Sequence, residues 1–326
     1  MENKLIVSSS PHVRSNQDTS YIMKQVVLAL FPATLAGLFF FRLSALNVIF
    51  FCIAGSVLAE FICQKIAKKE SSIGDFSAVV TGLLLAFNVP ASLPWWMCLI
   101  GSAFAIIVVK MVFGGIGNNF VNPALAARAF LLASFPVAMT MWTKTGINWV
   151  GTGNIDAYTT ATPLSFLKAG ESGLTALIDN GITLTDMFIG NVGGCIGETS
   201  AILVILGGVY LMYKGIINYV IPTFYIATVS ILMFILGGFN FSFVLYELLA
   251  GGLMLGAFIM LTDYTTSPMT KKGQIIYAVL AGLITTVIRL YGGYPEGVSY
   301  SILFVNVMTP LIDKYTKTKV FGEVAK

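Results

Sequence analysis

Apolar runs broken by short polar turns occupy the chain from about residue 25 to residue 312. Two runs, about 25–41 and 45–64, meet at Arg42, and the second ends at Lys65, Lys68 and Lys69. A short third run, about 76–89, leads to Pro90 and Pro94. A fourth runs from Trp95 to Phe113, and a fifth follows Asn122-Pro123 to about Trp142. After a polar segment at 143–184, a sixth run reaches Tyr213 through Gly190, Gly193, Gly194 and Gly197. The last four runs are about 216–237, 241–261, 274–290 and 298–312. A bilayer core takes about 20 helical residues to cross. The pattern therefore predicts an all-α polytopic membrane protein of about ten transmembrane helices.

The expected divisions are a polar tail at 1–20, a five-helix unit at 21–142, a loop at 143–184, a second five-helix unit at 185–313 and a tail at 314–326. The halves share local features. Phe113-Gly114-Gly115 closes the fourth run and Tyr291-Gly292-Gly293 closes the ninth, and Pro follows the third run of each half. Five crossings per half would make these inverted repeats, which place a site near the midplane.

Composition agrees: 56% of residues are hydrophobic, 10% are charged and the mean hydropathy is +0.85. The net charge of +4 does not point to nucleic acid, because in such a chain the placement of Lys and Arg matters more than their sum. Thirteen basic residues fall on one set of loops, against Arg42, Lys144 and Lys168 on the other. Positive residues stay inside. Both termini are therefore expected to be cytoplasmic, with 143–184 outside. The first twenty residues hold no apolar core, so no cleavable leader is expected there. The only histidine, His12, lies in this tail and is assigned no role. Cys52, Cys63, Cys98 and Cys195 sit in apolar runs and read as small buried residues, with a cluster shared with a partner subunit as the alternative.

Glu60, Lys110, Arg128, Glu198, Glu247 and Arg289 fall within apolar runs, where a charge costs about 2.5–3.5 kcal/mol on insertion scales. Lys110, Glu247 and Arg289 lie near predicted helix ends, so snorkelling is expected of them. Arg128 follows Asn122-Pro123 and suits either an anion site or an interhelical ion pair. Glu60, Asp75, Glu198 and Asp263 are candidate cation contacts. No Walker loop, strand-associated Gly-x-Gly-x-x-Gly or His/Cys metal spacing is present, so any redox cofactor must be held in another way.

Within the polar segment, Pro163 biases Thr162 toward an extended backbone with its side chain presented. Asp156-Ala157-Tyr158-Thr159-Thr160-Ala161-Thr162 matches the pattern Asp-x-x-(Ser/Thr)-x-Ala-Thr, in which FMN is joined through its phosphate to the last threonine. Thr160 departs from the Gly frequent in related motifs. Further islands are Phe113 to Asn119, Asn122 to Phe130, Gly197-Glu198-Thr199-Ser200, Asp263 to Pro268, Tyr294-Pro295-Glu296-Gly297 and Pro310 to Asp313. With these islands in order, the chain resembles the D subunits of Rnf electron-transport complexes. It is less similar to the B subunits of sodium-translocating NADH:quinone reductases.

The resemblance implies covalent FMN on Thr162, with Asp156, Thr159 and Ala161 in the recognition motif; Asn122 and Arg128, from the anion-site reading of the residues, are expected as further cofactor contacts. For some family members it extends to riboflavin held without a covalent bond. It implies a bacterial inner-membrane complex that couples electron transfer between ferredoxin and NAD to Na+ or H+ movement. The partners implied are the other subunits, a second FMN-bearing subunit among them, and a flavin transferase. A channel or transporter without redox chemistry fits the same helix pattern, since fold does not settle function.

Overall fold

The computed structural model describes residues 17–68, 71–142, 161–294 and 296–317, and these are helical with no extended sheet. The first helix, α1 (Thr19–Ile66), is nominally 48 residues long. A straight helix of that length would hold its ends about 70 Å apart. Instead the Ser20 hydroxyl donates to the carbonyl of Gly74 at 3.2 Å. The fold-back occurs at Arg42, whose φ of 53° and ψ of −130° interrupt the helix. The two predicted runs on either side of Arg42 are thus two antiparallel segments.

Four helices complete the first half or start the connection that follows it. They are α2 (Ser77–Phe87), α3 (Trp95–Met111), α4 (Pro123–Ser134) and α5 (Pro163–Leu167). The last turns of α3 are wound as a π-helix from Phe104 to Met111. Asn122 caps α4, its side chain accepting from the amides of Ala124 and Leu125 at 3.1 and 3.4 Å, with Pro at the first helical position.

The expected polar loop at 143–184 is not a detached loop over its described part. Both α5 and α6 (Glu171–Asp179) lay Leu164, Leu167, Leu174 and Leu177 into the main core. An apolar residue every three or four positions gives each short helix one core-facing stripe. A capping box opens α7 (Leu184–Ile189), in which Thr183 holds the Asp186 carboxyl below the usual carboxylate range.

The sixth run is not one helix. Between α7 and α8 (Ala201–Tyr213) the chain is non-helical from Gly190 to Ser200, apart from one turn at Ile196–Glu198. Gly190, at φ 111°, lies so close to the Thr199 carbonyl that a Cβ could not fit. This stretch crosses the irregular residues after α2. The Ile196 amide donates to the Val89 carbonyl at 3.3 Å, in a two-residue antiparallel bridge of Pro90 with Cys195. Unwound backbone at membrane depth survives only where protein supplies its partners.

The seventh run forms α9 (Val220–Leu236). The eighth, expected as one crossing, divides into α10 (Phe241–Leu249) and α11 (Leu253–Met260), bent by 70° at Ala250-Gly251-Gly252. The ninth and tenth form α12 (Lys271–Tyr291) and α13 (Val298–Tyr315). By length and composition α1, α12 and the bent α10–α11 pair are candidate spans, and five further helices are apolar but shorter. The chain is a multi-pass membrane protein.

Small residues set the closest helix crossings, as expected where lipid tails remove the usual hydrophobic drive between helices. A Cβ on Gly207 of α8 would stand 2.4 Å from the Ala29 carbonyl of α1, and one on Gly82 of α2 would stand 2.7 Å from the Cys52 carbonyl. We expect Gly207→Ala to push α8 from α1 and to cost about 1–3 kcal/mol. A lowered melting temperature of the purified chain in detergent would register this; an unchanged one would show that the crossing tolerates a methyl group.

Candidate functional site

Thr162 stands at the N-cap of α5 with φ −72° and ψ 153°, the extended backbone expected before Pro163. Its Oγ1 accepts from the Ser165 amide at 3.3 Å, while the Ser165 hydroxyl donates to the Thr162 carbonyl at 2.6 Å. The hydroxyl proton of Thr162 is therefore not consumed by the cap. The side chain is not presented to solvent as expected, since Thr162 is only 6% exposed. It opens on a cavity with about 290 Å³ of empty space, walled by Leu164, Met187, Val192, Gly193, Leu249, Ala250 and Gly251, with Glu198 and Glu296 as its carboxylates. Ala161 is exposed beside it. Asp156 and Thr159 lie outside the described residues.

Arg128 reaches this cavity through Glu296. Its guanidinium forms an ion pair with Glu296, donates to the Ser299 hydroxyl and lies 3.8 Å from Cys195 Sγ. Its Nε is buried with no partner among the described residues. Of the two options open in the sequence, an ion pair is thus present, but with a carboxylate in the turn before α13 and not on a second helix, and one buried N–H remains for an acceptor. Glu198 accepts from the Cys195 amide at 3.2 Å. Cys195, Glu198 and Glu296 bring their ligating atoms within 4.8 Å of one another. The guanidinium beside them supplies the positive charge that an ion would otherwise bring.

The remaining candidates gather elsewhere. A cleft with about 810 Å³ of empty space, part of it open to solvent, lies between the start of α1, α2, the ends of α3 and α8, and the loop after α11. Lys110, Ser77, Asn119, Asn122 and Asp263 are among its polar walls. Lys110 Nζ donates to Glu60 at 2.7 Å and to the Ser77 hydroxyl at 2.6 Å. Glu60 also accepts from Ser72 at 2.7 Å and from Gln64 at 3.0 Å. Asp75 accepts from the amide and hydroxyl of Ser77 at 2.8 and 2.6 Å. Asp263 accepts from the amide and hydroxyl of Thr265 at 3.3 and 3.1 Å.

Both clusters correct the snorkelling expectation. The Lys110 and Glu60 side chains are 3% and 0% exposed. Arg289 pairs with Glu247 at 2.8 Å, with side chains 1% and 2% exposed. Proximity to a helix end in the sequence did not reveal that a carboxylate on another helix waits at that depth. The sequence also missed Glu296 as a cavity wall, although it stands directly after Pro295 in a cluster that breaks the ninth run from the tenth.

The two clusters are far apart. The helix α12 begins close to the cleft, after the Asp263 loop, and ends at Arg289 by the cavity. Its 21 residues rise about 30 Å, the thickness of a hydrocarbon core. We expect Lys110→Met to leave the Glu60 carboxylate buried and uncompensated, at a cost of about 3–5 kcal/mol. Adding Glu60→Met should recover most of that loss. Thermal unfolding of the two variants in detergent checks both, and a double variant no better than the single one would refute the pairing as the cause.

Helices bent and broken at depth, with buried charge pairs and a cavity near each end of α12, define a class of protein: a polytopic membrane subunit built around interior polar sites. The family profile described as the NQR2, RnfD, RnfE family matches residues 6–322. The chain belongs to that family. It is 50% identical over 98% of its length to the D subunit of the Na(+)-translocating ferredoxin:NAD(+) oxidoreductase complex of Acetobacterium woodii, covering 96% of that protein. It is 47% identical over 98% of its length to the D subunit of the proton-translocating ferredoxin:NAD(+) oxidoreductase complex of Clostridium ljungdahlii, covering 97% of it. A third relative, the D subunit of the ion-translocating oxidoreductase complex of Halorhodospira halophila, is 36% identical over 96% of this chain and 94% of its own.

Proposed function

We propose that this chain is the D-type subunit of an Rnf complex and carries FMN, esterified through its phosphate to Thr162. The observation that carries this reading is the position of Thr162: its hydroxyl, with a proton to give up, faces a cavity at the end of the flavinylation pattern. Ester formation joins Thr162 Oγ1 to phosphorus as the bond from phosphorus to the leaving group of an activated flavin nucleotide, bound by the transferase, breaks and the hydroxyl proton passes to a base; the net adduct is FMN less one water. The remaining oxygen lone pair of an ester can keep the Ser165 amide as its donor. Arg128, with one unpartnered N–H, would hold the phosphate charge, as a guanidinium suits phosphate oxygens. Glu296 is the group it would then share. Once bound, FMN supplies one- and two-electron chemistry; the chain orients it and sets its surroundings.

The same reading gives the chain ten crossings in two inverted halves, with both termini cytoplasmic in a bacterial inner membrane. Lys110 before Gly114-Gly115 and Arg289 before Gly292-Gly293 are then equivalent positions facing opposite sides. The Thr162 cavity faces outward, toward a second FMN-bearing subunit, and a flavin transferase acts from that side. The cleft faces inward, and we assign to it the non-covalent riboflavin of the family. Its walls combine apolar side chains with a few polar groups, the lining usual for small-molecule sites. Asn119 Oδ1, buried with no partner among the described residues, offers an acceptor there.

The complex served would couple electron transfer between ferredoxin and NAD to movement of Na+ or H+. Of the four candidate acids, Glu198 and Asp263 face the two cavities directly. Glu60 and Asp75 are held in the Lys110–Ser77 network, so a cation reaching Glu60 has to displace Lys110.

The test is the mass of the 145–185 peptide from protein made together with a flavin transferase. We expect the FMN adduct on Thr162, and flavin fluorescence that stays with the denatured band. Thr162→Ala should abolish both. Retention of covalent flavin in that variant would overturn the assignment, and a colourless wild-type chain would favour a channel without redox chemistry.

A further inference from the structure

Arg289 makes more hydrogen bonds than an ion pair requires. Nη1 donates to the Glu247 carboxylate at 2.8 Å and to the Glu247 carbonyl at 2.6 Å, and Nη2 donates to the Ala250 carbonyl at 2.9 Å. Those carbonyls end α10, where α11 departs at 70°. The last four carbonyls of a helix have no partner within it, and hydrocarbon offers none. One planar fork therefore closes the helix end and neutralises a carboxylate together. A lysine keeps the charge but lacks the rigid fork.

The bend continues directly into the wall of the Thr162 cavity, which Leu249, Ala250 and Gly251 form. Gly251 has φ +66°, a left-handed conformation that suits glycine. A Cβ placed on it would lie 3.4 Å from Arg289 Nη2 and 3.4 Å from Leu164 Cδ2. Leu164 is buried on α5, two residues after Thr162. The guanidinium, the Gly251 backbone, Leu164 and the Thr162 cap are thus packed in succession.

We propose that Arg289 is a positioning residue for Thr162: by bracketing the carbonyls of Glu247 and Ala250 it fixes the α10–α11 bend against which Leu164 seats α5, and so holds the Thr162 hydroxyl where FMN is attached. This rests on the reading that Thr162 carries FMN. Arg289 does not line the Thr162 cavity and contacts Glu247 and Ala250 instead; it acts through the bend.

The experiment uses the full chain, made together with a flavin transferase at limiting amount. Covalent FMN is measured per membrane-inserted chain, by in-gel fluorescence against an affinity tag and by intact mass. Arg289→Lys keeps the charge and loses the fork. Leu164→Ala removes the far end of the path and touches no charge. Each is expected to lower the FMN load about tenfold, since small misplacements of a reacting group cost that much or more. Gly207→Ala, which loosens the α1–α8 crossing and lies outside the cavity wall, should retain the wild-type load per inserted chain. A purely structural role for Arg289 would lower the amount of inserted chain and leave the load per chain unchanged. A wild-type load in either Arg289→Lys or Leu164→Ala overturns the proposal. If Arg289→Lys does not insert, Leu164→Ala decides alone. An equally low load in Gly207→Ala overturns it as well, because general loosening would then account for the loss. A wild-type chain with no covalent FMN sinks the reading on which the inference stands, a result distinct from the others.

Discussion

Unpaired backbone groups are intolerable in hydrocarbon, and this chain interrupts its helices there repeatedly. The solutions differ with what lies nearby. At residues 88–90 and 195–196 two broken stretches satisfy each other, through the Ile196 amide and the Val89 carbonyl. At Ala250 a guanidinium supplies the donor instead. These interruptions are where the interior polar sites lie. A continuous helix turns all its amides and carbonyls inward on itself and has only side chains to offer a cofactor. A broken one brings backbone, glycine and short turns against the cavity, as Gly193 and Gly251 do.

Charge follows the same logic. Removing one partner of a buried pair costs more than the pair is worth, because the survivor stays uncompensated. Glu60 with Lys110 and Glu247 with Arg289 are each tied to further polar groups, which reduces the cost of keeping them in the core. Each cation stands within five residues of a Gly-Gly turn that ends its helix. One pair lies beside the cleft and the other beside the threonine cavity. A pair of this kind fixes which helices approach at its depth, a geometric use that dispersion between apolar side chains supplies poorly in lipid.

Much of the scaffold was legible in the chain. The hydrophobic runs located α2, α3, α9, α12 and α13 to within a few residues, because helix length and bilayer thickness constrain each other. Pro163 announced the extended backbone of Thr162. What escaped was set by partners distant in sequence. The 70° bend at Ala250-Gly251-Gly252 falls inside an unbroken apolar run, and a glycine pair is common in membrane helices that do not bend. Only Arg289, some forty residues on, makes that pair a break. The burial of Thr162 likewise depends on Leu249 to Gly251 and on Glu296, none of them near it in the chain.

The cap at Thr162 links these levels. An N-cap threonine commonly uses its oxygen as an acceptor for an amide two or three positions on, and Ser165 receives that role here. The same cap leaves the hydroxyl hydrogen unused, since the oxygen acts only as acceptor in it. A residue chosen only to start α5 would serve as well on the surface as in a cavity. Setting it 6% exposed, beside two carboxylates and one guanidinium, adds desolvation that a simple cap does not need. In that surrounding each charge is felt more strongly than in water. On the proposed reading, a phosphate attached there would meet Glu198 and Glu296 as opposing charges, with Arg128 paired to Glu296 as the cation of that cluster. The balance among those three groups, set by segments as distant in sequence as α4 and the turn before α13, is therefore the lever by which the rest of the fold would act on the group proposed for Thr162.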